Sequence, residues 1–320
     1  MKNGCIAGKV TELEDRMDTA HHAPRWKTLL AYSIIYFVWG STFYAIRVGV
    51  MQVPPLLFAA LRFTPAGAAL VAAMRISGIC LPRMREWGSI LVIAFLIFGV
   101  DYGLLFWAEQ RVPSGPAAVM MATIPAFMAL AEIVILGTQK MTVRLAGALA
   151  IGLGGVAILV SRSLNLGGAP IDFVGAASLI VGSISWSIAS ALSRKLPLPG
   201  SKVMSSGAQM LAGGVMLAII SAMRGEWSGF SFAGISASAW IACAYLAIVG
   251  SIIGFTAYVW LIHRESPTRV GTYAYVNPLV AILIGYFLGG ESLGLRTVLG
   301  TICVLASVVV ITRLDSPKTS

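Results

Sequence analysis

Apolar residues run along this chain in blocks of about twenty, interrupted by short polar or basic stretches. Ten blocks are read: Thr28–Val50, Pro54–Met74, Trp87–Glu109, Ser114–Leu136, Val143–Ser161, Asp172–Ser193, Lys202–Met223, Ile235–Ile262, Thr268–Gly289 and Leu295–Thr312. Crossing the hydrocarbon of a bilayer takes roughly 20 mainly apolar residues in a helix. Within lipid a single span must satisfy its own backbone, and a helix does so. The pattern therefore predicts an all-α, polytopic membrane protein with ten transmembrane helices. The first block is too long for a signal-peptide core and has no clear small-residue cleavage site, so it is read as span one.

The pattern also occurs twice. Trp39 and Trp186, Arg47 and Arg194, and Gly67 and Gly214 are each 147 positions apart, and Arg62 corresponds to Gln209 at that offset. Further on the offset becomes 153, for Trp87/Trp240, Trp107/Trp260, Pro125/Pro278, Gly137/Gly290 and Gly147/Gly300. Six of eight tryptophans pair by these two offsets, which chance does not readily produce. Each copy holds five spans, an odd number, so the second enters the membrane upside down, as in many secondary transporters. The expected layout is a cytoplasmic tail over 1–27, repeat one over 28–161, repeat two over 172–312 and a second cytoplasmic tail over 313–320.

Composition agrees: 58% of residues are hydrophobic and 11% charged, far from the balance of soluble domains. A formal charge of +10 would suit nucleic acid, but its distribution points elsewhere. Of 23 Lys and Arg, 17 fall on the tails and even-numbered loops, five on the odd-numbered loops, and Arg62 lies within a span. By the positive-inside rule both termini are cytoplasmic, and no nucleic-acid partner is expected. Cys5, Cys80, Cys243 and Cys303 are scattered and read as free thiols, with no metal cluster; His21 and His22 read as a solvated tail pair. No metal and no cofactor is expected. Neither an HExxH nor a phosphate-loop motif occurs, so an enzyme is a distant alternative, as is a membrane sensor or scaffold.

The candidate site residues are those that are costly in lipid. Arg62 near a span centre costs about 2.5–3.5 kcal/mol on insertion scales. At about 1.5 Å per residue it lies ~12 Å below the outer face, and Asp101 lies at a similar depth of ~12 Å. Spans two and three share a short loop, so an Arg62–Asp101 pair is expected, either as a structural bridge or as a charged cavity wall. Tyr102 is placed on the same pathway. Glu132 counts to about 8 Å from the inner face; with Asp101 it is a candidate proton carrier, although it could also snorkel to a cytoplasmic lysine. Pro125 and Pro278 each remove an N–H within a span, and matched helix interruptions mark transport sites. Tyr273 and Asn277, four apart, share a helix face. Trp39 and Trp186 sit mid-span, away from the headgroups where tryptophan usually anchors.

Four segments, Ile35–Val50, Val112–Pro125, Gly182–Pro197 and Thr272–Glu291, resemble EamA-domain proteins of the drug/metabolite transporter superfamily, of the bacterial inner-membrane type. The resemblance implies two EamA repeats in a ten-helix basket around a central cavity, with Trp39, Arg62, Trp186, Asn277 and the two prolines facing or shaping it. Asp101 and Glu132 are not part of that pattern. The expected function is secondary transport by alternating access, with export of amino acids or related amphipathic metabolites implied by the resemblance. Drug or toxic-compound efflux and metabolite uptake are the alternatives. Substrate-pathway residues are expected to be Trp39, Arg62, Asp101, Tyr102, Trp186, Gln209, Tyr273 and Asn277, and the partners a small-molecule substrate and the bilayer, in a monomer or homodimer.

Overall fold

A computed structural model describes residues 25–137, 140–161, 171–228, 230–262, 270 and 273–314. His21, His22, Cys5 and nearly all of both tails lie outside the described residues. Apart from a short 3-10 turn at Phe232–Gly234, the described residues form ten helical segments and no strand. Eight are long and apolar enough to cross a membrane: α1 (Arg25–Val50), α2 (Pro55–Ile76), α3 (Met84–Ala108), α4 (Ser114–Leu136), α5 (Val143–Val160), α6 (Phe173–Leu192), α7 (Lys202–Met223) and α8 (Ala237–Tyr258). Two shorter apolar helices complete the set, α9 (Tyr273–Phe287) and α10 (Leu295–Leu314).

Local sequence sets the helix ends. Thr142, Asp172, Ser201 and Ser236 each cap a helix by accepting an N–H three residues on, which satisfies donors that the first turn leaves free. Pro55 opens α2, where its missing N–H costs nothing. After α4 and α9 the chain leaves through Gly137 (φ 67°) and Gly290 (φ 62°). These repeat-related positions take the left-handed cap that glycine adopts without strain.

The first helix of each repeat is embedded in the other repeat: α1 packs on α8 and α9, and α6 on α3 and α4. Repeat-related helices also cross one another, α2 on α7 and α5 on α10. A Cβ at Gly67 would stand 2.3 Å from the backbone nitrogen of Leu211, and one at Gly214 2.6 Å from that of Thr64. Gly155 and Gly300 bring α5 and α10 equally close, each within 2.9 Å of the other's carbonyl oxygen by the same measure. Small residues allow such backbone approach where lipid supplies no hydrophobic drive between helices. Large apolar side chains such as Val134, Ile241, Phe287 and Ile302 face outward, forming a lipid-facing surface.

Several spans are not regular helix. π-turns widen α1 at Ile34–Val38, α3 at Phe95–Tyr102, α4 at Glu132–Leu136 and α8 at Leu246–Ile253. Pro125 opens a new helical stretch after a break at Ala122–Thr123 in α4. Its counterpart Pro278 behaves differently: α9 runs through it as continuous helix. Cys243 and Cys303 are free, whereas Cys80 is disulfide-bonded, which corrects its reading as a free thiol.

Candidate functional site

Arg62 is buried at 3% exposure in the interior face of α2. Its Nε donates to Ser251 Oγ at 3.1 Å, and that hydroxyl donates onward to the carbonyl of Leu246 at 3.0 Å. The Leu246 carbonyl is reached across the π-turn of α8, where Ser251 is five residues on. The guanidinium lies 4.6 Å from the ring centre of Phe63, 5.3 Å from Tyr102 and 5.9 Å from Phe106. Each such cation–π contact contributes about 0.5–2 kcal/mol when water is excluded, which offsets much of the insertion cost. One nitrogen, Nη1, is buried without a hydrogen-bond partner.

The expected Arg62–Asp101 pair is not formed, since no nitrogen of Arg62 lies within 4.0 Å of an Asp101 oxygen. Asp101, 1% exposed, turns to α6 instead, where a Cβ at Gly182 would stand 2.9 Å from its Oδ1. That oxygen also lacks a partner. Counting residues from a span end yields depth but not rotation, and one residue along a helix turns about 100°. Tyr102, the next residue within the π-turn of α3, takes the place facing Arg62. Tyr102 in turn meets Trp186 edge-on at 6.1 Å between ring centres.

A second aromatic cluster lies across α1, α8 and α9. Trp39 packs edge-on to Tyr273 at 5.2 Å and tilted to Tyr258 at 5.3 Å. Its indole N–H donates to the carbonyl of Gly250 at 3.2 Å. Gly250 joins the clusters, since a Cβ there would stand 3.5 Å from Arg62 Nη2. Asn277, oriented as its neighbours require, donates its amide N–H groups to the carbonyls of Ile35 at 3.2 Å, Tyr36 at 3.0 Å and Tyr273 at 3.2 Å. Two of these acceptors belong to the π-turn of α1, so the amide ties α9 to α1. Gln209 is buried and donates to Ser205 Oγ at 3.0 Å within its own helix.

Glu132 stands apart from both clusters. It forms an ion pair with Arg194 at 2.7 Å at the rim where α4 and α6 end. Among the described residues no three His, Cys, Asp or Glu side chains gather as a metal ligand set. What the arrangement offers is a guanidinium with a spare donor, set among aromatic rings.

Sequence comparison then places the chain. The EamA-like transporter family matches it twice, over residues 26–161 and 173–313. The chain belongs to this family. An inner membrane transporter of Escherichia coli K12, YedA, is 40% identical over 279 residues, covering 87% of this chain and 88% of the relative. A probable terminal-alkyne amino-acid exporter of Streptantibioticus cattleyicolor is 28% identical over 289 residues, covering 90% and 94% respectively. A solved crystal structure with 23% identity superposes with a TM-score of 0.60, covering 92% of this chain and all of that one, and so shares the fold. The protein is a multi-pass membrane transporter of the EamA family, with two inverted five-helix repeats, and not an enzyme.

Within this EamA-family site, several contributors were not singled out by sequence. Ser251, Phe63 and Phe106 hold Arg62, and Gly250 accepts from Trp39. Tyr245 and Ser41 share a 2.6 Å hydrogen bond beside them. Apolar or small residues inside apolar spans carry no signal of their own. The offset of 153 does relate the π-turns of α3 and α8 approximately, but nothing in the residue pattern reveals a π-turn.

Proposed function

We propose that the protein is a secondary carrier of the bacterial inner membrane that exports small amphipathic metabolites bearing a carboxylate, such as amino acids, by alternating access. One observation carries this reading: Arg62 is buried among aromatic rings with Nη1 lacking any partner. A buried charged donor left unsatisfied is costly, and a substrate carboxylate would complete it. Phe63, Tyr102 and Trp186 would enclose the apolar part of the substrate, with Trp39 and Tyr273 behind them. The name of the S. cattleyicolor relative, an amino-acid exporter, supports the class. The distribution of Lys and Arg supports cytoplasmic termini, which puts the Glu132 rim inside and the Arg47 rim outside.

The reading is tested by uptake into inside-out vesicles, where export appears as accumulation. Amino acids and their decarboxylated amine analogues would be screened with the parent and with Arg62→Gln. Accumulation of the acids alone, lost in Arg62→Gln while folded protein remains in the membrane, is the expected result. Equal transport of acids and amines would remove the carboxylate from the recognition. A single cysteine placed at Ser201 should resist an impermeant thiol reagent in intact cells and one at Ser228 should react; the reverse would invert the topology.

A further inference from the structure

Among the described residues, each rim of the molecule carries one ion pair that joins the two repeats. At one rim, Arg47 of α1 lies with Nε 3.7 Å from Oε1 of Glu291, in the loop after α9. At the other, Arg194 just beyond α6 meets Glu132 of α4 at 2.7 Å. The two arginines are 147 positions apart, so they are equivalents. The acids are not equivalent in sequence, because the residue 153 beyond Glu132 is Gly285. Space resolves the mismatch: a Cβ at Gly285 would stand 2.6 Å from Oε2 of Glu291. Glu291 therefore reaches back from its loop into the room that a side chain at 285 would fill. The two carboxylates thus occupy corresponding places by different routes. Both pairs also line cavities. One of about 270 Å³ is bounded by Arg47, Glu291, Pro113 and Pro116, and one of about 10 Å³ by Glu132, Arg194, Met128 and Ser187.

We propose that Arg47–Glu291 and Arg194–Glu132 are reciprocal gates, each closing one rim by fastening the first helix of one repeat to the end of the fourth helix of the other. This rests on the alternating-access reading above. The gates are unequal. Glu291 also accepts from Ser114 N at 2.7 Å, Ser114 Oγ at 2.7 Å and Gly115 N at 3.1 Å. Arg47 Nη1 donates to the carbonyls of Glu109 at 2.7 Å and Val112 at 2.9 Å. By contrast the Arg194 side chain is 57% exposed, and exposed ion pairs contribute little. Lys195, which donates to the carbonyl of Ile135, is its main reinforcement. The Glu132 rim is therefore the one that opens more readily. For an exporter with cytoplasmic termini, that is the loading side.

The test uses the full chain with all four native cysteines replaced and Thr42→Cys as reporter, a buried position midway along α1. Labelling rates with an impermeant maleimide are measured in right-side-out and inside-out vesicles. Glu291→Gln should raise labelling from the Arg47 rim about tenfold or more, and Glu132→Gln should raise it from the other rim by only about two- to fivefold, as an exposed pair allows. The reversed pair, Arg194→Glu with Glu132→Arg, should return both labelling and transport towards the parent. Should Glu291→Gln fail to accumulate, Arg47→Gln carries the same expectation. Shifts towards the same side, or unchanged rates in both variants, would overturn the gates while leaving alternating access standing. A reporter that stays unlabelled from both sides while transport persists would overturn alternating access itself, and the gates with it.

Discussion

Trp39 and Trp186 hold equivalent places in the two repeats, yet only Trp39 is docked. Its indole donates to Gly250 of α8, and it lies so close to Gly254 that a Cβ there would stand 2.6 Å from Nε1. The residue 153 positions before Gly254 is Asp101, so the site that admits one tryptophan is filled by a carboxyl in front of the other. The neighbouring volumes are exchanged as well. α1 brings the fully buried Ile35 where α6 has Gly182, and Gly182 is what makes room for Asp101. Trp186 is left half-buried against Tyr102, with no acceptor for its N–H among the described residues. A symmetric scaffold thus carries two unlike half-sites. One is a tight helix junction; the other retains unpartnered polar groups, Asp101 Oδ1 and, across Tyr102, Arg62 Nη1.

The sharpest way to break this contrast is to copy the first half into the second. Gly254→Asp would push a carboxyl into the Trp39 indole, combining overpacking of about 1–3 kcal/mol with burial of an unpaired polar group. Apparent Tm in detergent should fall by several degrees, at about 2–4 °C per kcal/mol, and transport should be lost. An unchanged Tm would mean that α1 is not held at this point. Asn277→Leu comes next, since it removes the amide nitrogen that reaches the carbonyls of Ile35, Tyr36 and Tyr273, two N–H donors of about 0.5–1.5 kcal/mol each, and so unties α9 from α1.

The tryptophans themselves should then separate. Trp39→Phe deletes one hydrogen bond and should cost about 1 kcal/mol. Trp186→Phe should leave Tm nearly unchanged while lowering transport, because its ring faces Tyr102 and not a helix junction. Equal thermal losses would erase the distinction between the half-sites. The smallest effect is expected from Asp101→Asn, which keeps shape and removes an unpartnered ionisable group; Tm should stay level or rise. A marked loss of folded protein would show that Asp101 has a partner in the membrane after all.

Much of the architecture was legible because its causes are local or periodic. Span lengths follow from bilayer thickness, and the repeat from paired tryptophans and glycines. The glycines at 137 and 290 announced the helix ends that they make. The site was legible in its cast but not in its pairings. Arg62, Tyr102, Trp39, Tyr273 and Asn277 do come together, in two clusters joined at Gly250. Asp101 was assigned the wrong neighbour because π-turns add a residue to a helical turn and rotate every later side chain of the span. Pro125 and Pro278, alike in sequence, differ in effect: the helix breaks just before the first and runs unbroken through the second.

By itself, then, the order of apolar and polar residues determined how many helices there are, how they are repeated and that the second set is inverted, since each of these depends only on segment length, offset and parity. It also determined that an arginine must be buried. Tertiary structure decided who meets it. The faces that α2, α3 and α8 turn to one another depend on close glycine crossings and π-turns, which set rotation to within a fraction of a turn. The reach of Glu291 into the space beside Gly285 is of the same kind: two positions six residues apart in the chain serve one place, and only packing shows that they coincide.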